Sequence, residues 1–189
     1  MNISNNRQFA VAGLGLLLAI CAAPAAGANM SGGIGVAAEN ISGSCSSGCQ
    51  SVSSIDGDDS GAGVLLTGRV NFGRAFLQGD LIGFPGADSG SSVTIGAGIH
   101  LGSFSISGGI GQFDASASAT LTGYSAPESK VSADGGYIEI GHSSGLFARY
   151  SKFNTTQHFS FSRLSPPATA PRSVKLDYEQ LVAGYRYLF

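Results

Sequence analysis

The stretch Leu181-Val182-Ala183-Gly184-Tyr185-Arg186-Tyr187-Leu188-Phe189 decides the fold. Counted back by twos, Phe189, Tyr187, Tyr185, Ala183 and Leu181 fall on one face, apolar with an aromatic end. Leu188, Arg186, Gly184, Val182 and Gln180 fall on the other, which mixes polar, small and apolar side chains and carries a charge. A period of two is that of a β-strand, whose successive side chains point to opposite faces. Such a strand in a chain marked for export predicts a transmembrane β-barrel.

The export mark is at the other terminus. Arg7 supplies a positive charge, residues 10–23 are apolar, Pro24 breaks any helix, and Ala26-Gly27-Ala28 offers a small-x-small cleavage site. Residues 1–28 are therefore expected to be a signal peptide and 29–189 the mature domain, with Ala25 as a second candidate start. The apolar stretch is short of the ~18–20 residues a spanning helix requires, which makes an uncleaved anchor the weaker alternative. Ile20 precedes Cys21 where a lipoprotein signal needs a small residue, so lipidation is not expected.

No other long apolar run occurs. A closed barrel is then the membrane-spanning architecture left, because every backbone group must pair internally. Gly is abundant at 29 residues, Trp is absent and charged residues make up 12%. That composition suits strands with lipid outside and a crowded lumen. The net charge of −2, about −3 once Arg7 is removed, argues against nucleic acid as a partner.

Eight alternating segments are expected: 30–41, 63–73, 75–84, 91–101, 103–113, 134–142, 146–155 and 173–189. The cleanest is Val93, Ile95, Ala97, Ile99 and Leu101 against Thr94, Gly96, Gly98 and His100. Turn signals near Gly73–Arg74, Gly102 and Ser143-Ser144-Gly145 separate three pairs closely, whereas 42–62, 85–90, 114–133 and 156–172 read as longer polar loops. Short turns at one end and longer loops at the other predict an all-β, eight-stranded antiparallel transmembrane barrel with short periplasmic turns and extracellular loops. A lipocalin-like or sandwich protein would also show one apolar face. Against it stand inward faces rich in Gly and Ser, with little bulk for a soluble core.

With Asp177-Tyr178-Glu179-Gln180 before it, the terminal strand resembles that of the OmpA/OmpX-type eight-stranded outer-membrane barrels, including those of the Ail/Lom kind. Gly145-Leu146-Phe147-Ala148-Arg149-Tyr150 is similar to their penultimate strand. The resemblance spans the mature chain in layout and residues 135–189 in motif. It implies residence in the outer membrane of a Gram-negative-type bacterium, and a C-terminal signal (Leu181, Tyr185, Tyr187, Phe189) read by the barrel-assembly machinery. With Phe189 ending the chain, no cell-wall-binding domain is expected.

The inward faces carry Glu39, Arg69, Asp80, His100, Glu139, Arg149 and Arg186. A small barrel has room only for side chains, and buried charges must pair. A lumen network of Glu39, Arg69, Asp80, Glu139, Arg149 and Arg186 is expected to plug the barrel; a narrow ion-selective pore is the alternative. Cys45 and Cys49, in C-S-S-G-C, are expected to form a disulfide, since an exported chain with paired cysteines favours one. Metal binding by the pair lacks a nearby His. His142-x-Ser144 matches the His-x-Ser pair of lipid A deacylases in spacing. It falls in a short periplasmic turn, with Gly145 where Asn is usual, so catalysis is not expected. Asp56-Gly57-Asp58-Asp59-Ser60-Gly61 begins like a calcium loop but has Thr67 at the twelfth position and no flanking helices, so a solvated acidic loop is favoured over a weak cation site. Phe159-Ser160-Phe161-Ser162 reads either as an extended hairpin open to strand addition or as packed aromatic residues.

The sequence thus points to a monomeric, cofactor-free surface barrel protein in outer-membrane lipid. Its expected role is structural or adhesion-type through the outer loops, with host or cell-surface ligands as partners. A small passive channel is the second reading and a lipid A-modifying enzyme a distant third.

Overall fold

The computed structural model describes residues 29–45, 54–56, 61–84, 90–121, 124–164 and 167–188. The expected signal peptide, Cys49, Asp58, Asp59 and Phe189 lie outside the described residues, as do the side chains of Cys45, Phe159 and Phe161.

The strands are β1 (Asn29–Cys45), β2 (Ser54–Asp56), β3 (Gly61–Phe72), β4 (Ala75–Gly83), β5 (Ser91–Leu101), β6 (Phe104–Leu121), β7 (Tyr124–His142), β8 (Leu146–Leu164) and β9 (Pro167–Leu188). Eight of them, β1 and β3 to β9, close a ring: β3–β4–β5–β6–β7–β8–β9–β1 and back to β3, every pairing antiparallel. This is the eight-stranded barrel expected from the alternation and from the resemblance. β2 lies outside the ring, adding Ser54–Asp56 to the flank of β6 at Ser118–Thr120, above the point where β5 leaves it.

The short turns form as expected. Gly73 and Gly102 open two-residue hairpin loops with φ of 64° and 63°. Positive φ at the first loop position gives a turn whose twist matches the strands, and glycine adopts it without a Cβ clash.

Parity also holds. Ile34, Val36, Val64, Leu66, Leu77, Ile95, Ile99, Ile106, Ile110, Ile138, Ile140, Leu146 and Leu181 are exposed on the outer wall. Their strand neighbours Thr67, Arg69, Gln78, Asp80, Thr94, Glu139, Arg149 and Arg186 are buried inside.

Two expectations about the loops are corrected. Residues 114–133 and 156–172 are largely paired β-structure: β6–β7 pairing runs on to Leu121–Tyr124 across a register shift between Ala117 and Ala119, and β8–β9 pairing runs to Leu164–Pro167. The segment 42–62 contains β2 as well as the end of β1. Phe159–Ser162 accordingly continues β8 as an extended hairpin.

A third correction concerns bulk. The inner face is filled by large side chains: Phe76, Phe84, Phe113, Tyr137, Phe147, Phe153 and Tyr178 are all buried. Glycines on neighbouring strands make room for them. A methyl at Gly98 would overlap the Phe76 ring, one at Gly96 or Gly109 the Tyr137 side chain, and one at Gly184 the Phe147 ring.

Candidate functional site

The candidate site is the barrel interior, which the strand register divides into levels. Nearest the short turns is an ionic level. Glu139 on β7 lies opposite Arg149 on β8. Arg149 Nη2 stands 2.7 Å from Glu139 Oε2 and 2.8 Å from Asp80 Oδ2. Arg186 Nη1 reaches Glu139 Oε1 at 2.7 Å and Arg69 Nη2 reaches it at 3.1 Å. One carboxylate thus holds three guanidinium groups.

Neutral side chains complete the level. Gln78 Oε1 accepts from Arg69 Nε and Nη2 at 3.3 and 2.9 Å, and its Nε2 donates to Asp80 Oδ1 and Glu139 Oε2, both at 3.1 Å. Thr94 Oγ1 donates to Asp80 Oδ2 at 3.0 Å. Removing one partner from such a buried set leaves an uncompensated charge, which typically costs about 3–5 kcal/mol.

Each arginine also lies on a ring. Arg69 Cζ is 3.6 Å from the Phe76 centroid, Arg149 Cζ 4.1 Å from that of Tyr137, and Arg186 Cζ 4.0 Å from that of Phe147. The repeated unit is glycine in the wall, aromatic ring against it, and guanidinium on the ring. The electron-rich ring face attracts a desolvated cation.

Above lies a polar belt. Glu39, Gln180, Ser151 and Tyr137 are consecutive cross-strand neighbours on β1, β9, β8 and β7. All four are buried, yet Glu39 Oε1, Gln180 Nε2, Ser151 Oγ and Tyr137 Oη have no hydrogen-bond partner among the described residues. Glu39 therefore stands apart from the ion-paired cluster that the sequence assigned it to. Its parity is inward as expected, but its register is with Gln180 and not with the arginines.

Higher still the lumen is apolar. Phe113 packs against Tyr178 with ring centroids 4.6 Å apart, against Phe153 at 6.0 Å and against Phe84 at 6.2 Å. Leu65, Ile82, Val131, Ala133, Val174 and Leu176 surround them. The sequence reading missed this layer; its signal was the apolar residues of inward parity at Val174, Leu176 and Tyr178.

The outer wall changes character at the same height. Above Tyr150 and Leu181 the outward residues become Lys152 and Glu179, with Nζ and Oε1 2.8 Å apart. Hydrogen bonding between them holds the Glu179 carboxyl below, and the Lys152 ammonium above, their ordinary pKa ranges. Of the residues expected to form a C-terminal signal, Leu181, Tyr185 and Tyr187 face outward, below this rim.

At the short-turn end a cavity of about 220 Å³ opens beneath the ionic level, lined among others by Arg69, Asn71, His100, Ser105, His142 and Arg186. His100 Nε2 is 3.1 Å from Asn71 Oδ1. His142 Nδ1 is 2.9 Å from Ser144 Oγ and also accepts the Ser144 backbone N–H at 3.2 Å. Both residues are exposed, and their hydrogen bonds among the described residues involve no carboxylate. Cys45 ends β1 with its backbone opposite Val174. Asp56 ends β2, opposite Ser118. Among the described residues no group of three or more His, Cys, Asp or Glu is placed to hold a metal ion.

No family model matches the chain, and no curated protein matches its sequence. Among solved structures it is similar to Ail, the attachment invasion locus protein of Yersinia pestis, at 19% identity over 84% of this chain and 98% of that one, TM-score 0.45. It is also similar to Neisserial surface protein A, at 14% identity over 86% and 99%, TM-score 0.45. A third is the outer membrane protein AlkL, at 12% identity over 88% and 94%, TM-score 0.39. At these identities and scores the fold rests on the chain's own closed register.

Proposed function

We propose that the chain is an outer-membrane protein of a Gram-negative-type bacterium: a closed, non-enzymatic barrel with a structural or adhesion-type role through its outer hairpins. The observation that carries this reading is that the interior is filled at two levels while strands rise past the apolar wall. Arg149 and Glu139 have side chains 0% and 1% exposed, and the Phe113–Tyr178–Phe153 layer lies above them. A filled lumen leaves solute passage without a route. β8 continues from Tyr150 to Leu164; at ~3.3 Å per residue that is ~45 Å along the strand, ample for a surface projection.

The apolar outer wall supports a lipid setting, since a spanning barrel turns one face of every strand to hydrocarbon. The outward Leu181, Tyr185 and Tyr187 support assembly by the barrel-assembly machinery. Against an enzymatic reading, His142 has no carboxylate partner among the described residues to orient it, as a Ser–His pair needs. The test is adhesion of cells displaying the chain with residues 155–172 replaced by a tight turn. Loss of adhesion with an intact barrel supports the reading; unchanged adhesion removes this hairpin from it.

One observation favours the narrow-channel reading: the belt of polar atoms at Glu39, Tyr137, Ser151 and Gln180 that have no partner among the described residues is a place for water. Steady single-channel openings of the purified barrel in a planar bilayer, altered by Glu39→Gln, would establish that reading over the first.

A further inference from the structure

We infer that the short-turn mouth of the barrel binds a small oxyanion, with phosphate as its simplest representative. Charge count supplies the first reason. The ion-paired cluster joins the guanidinium groups of Arg69, Arg149 and Arg186 to the carboxylates of Asp80 and Glu139. Three cations against two anions leave one positive charge uncompensated in a buried place, where an unpaired charge is costly. Glu39, the other inward acid, makes no ion pair among the described residues and lies in the row beyond Arg149, away from the mouth.

The second reason is the cavity. Its lining includes Arg69, Arg186, Asn71, His100 and Ser105, and among the described residues no Asp or Glu. Arg69 and Arg186 are only 5% and 8% exposed, so their guanidinium groups are buried donors at the cavity floor.

The third is unspent donor capacity. A guanidinium has five N–H groups. Arg69 spends Nε and Nη2 on Gln78 and Glu139, and Nη1 makes a long 3.5 Å contact to Ser105 Oγ. Arg186 spends Nε and Nη2 on Thr67 and Glu139, and Nη1 meets Glu139 Oε1. On each, one Nη1 N–H is left over among the described residues. An oxyanion in the cavity would accept these hydrogen bonds and cancel the excess charge. Charge-assisted bonds from arginine to phosphate or carboxylate are the strong ones.

The experiment titrates inorganic phosphate into the mature chain in maltoside micelles, read by calorimetry and by the thermal midpoint, with chloride at matched ionic strength as reference. Saturable binding that raises the midpoint beyond the chloride value is expected. Asn71→Asp places a carboxylate of the same shape among the donors and should weaken phosphate at least about tenfold, a difference of ~1.4 kcal/mol. Heat-modifiable gel mobility reports whether the variant keeps its barrel. Added phosphatidylglycerol separates the sources: displacement of phosphate identifies a lipid headgroup as occupant, and no displacement identifies the free ion. Absence of saturable binding beyond chloride, or equal affinity in wild type and the folded Asn71→Asp variant, overturns the inference.

Discussion

Phe76 occupies the space that a side chain at position 98 would need. A methyl on Gly98 would overlap the ring tip and lie 2.5 Å from the Ile106 carbonyl oxygen. Because Arg69 rests on the face of that ring, displacing the ring also displaces a charge. Gly98→Ala should therefore destabilise the barrel by about 1–3 kcal/mol, the usual cost of overpacking, seen as a lower urea midpoint in micelles. Gly68→Ala is the control: a methyl there meets nothing within 4 Å. Equal midpoints for the two variants would refute the socket role of Gly98.

Glu139 joins three arginines, so its neutralisation should be the most damaging single change in the lumen. Glu139→Gln keeps the shape and leaves Arg69 and Arg186 without an ionic partner among the described residues. A loss of about 3–5 kcal/mol is expected, measured by reversible urea unfolding. A loss below 1 kcal/mol on that scale would mean the cluster is solvated like a surface pair.

Closure at two levels predicts how the barrel can be opened. Phe113→Ala removes the ring that touches Phe84, Phe153 and Tyr178, yet leaves the ionic level intact. Glu139→Gln loosens the ionic level alone. Neither single variant should conduct steadily in a planar bilayer, and the double variant should. Steady openings of the unmodified barrel would contradict this.

Much of the wall was legible in the sequence, for a physical reason. A wall proposed to face lipid needs apolar residues at every second position, so Ile34, Ile95, Ile106 and Leu181 gave their own direction. Parity also marked Arg69, Asp80, Glu139, Arg149 and Arg186 as inward. It did not reveal height, which depends on which residues stand opposite across strands, and so Glu39 was grouped with arginines one row away. The hairpin extensions were hidden because Ser, Ala and Thr in 114–133 and the prolines at 166, 167 and 171 look like loop chemistry. The interior bulk was hidden because glycine was read as emptiness, when Gly98 and Gly184 are the places where rings lie.

Orientation can be read by labelling. Ser160 on the long hairpin and Ser103 in a short turn are both exposed. In intact cells a membrane-impermeant thiol reagent should modify Ser160→Cys and should reach Ser103→Cys only after the outer membrane is opened. The reverse pattern would turn the barrel over.

The same samples test the cysteine pair. Mass spectrometry of the unreduced mature chain should find Cys45 linked to Cys49. For so short a loop the bond should contribute about 2 kcal/mol, lost in Cys45→Ser. Two free thiols in protein taken from the cell envelope would remove the disulfide.

The seam between β1 and β9 joins Ser31–Cys45 to Leu188–Val174 through fifteen facing residues, the two strands furthest apart in sequence. Such a bond gives no reward until nearly all of the intervening chain is in place, because loop closure must precede it. Before the seam zips, the sheet has two raw flanks, each a long row of unsatisfied amides able to capture another chain. Half a barrel is therefore a hazard and not a smaller version of the whole. Maturation must be a race between closing this seam and meeting a neighbour, and a chain lacking Val174–Leu188 would lose that race each time.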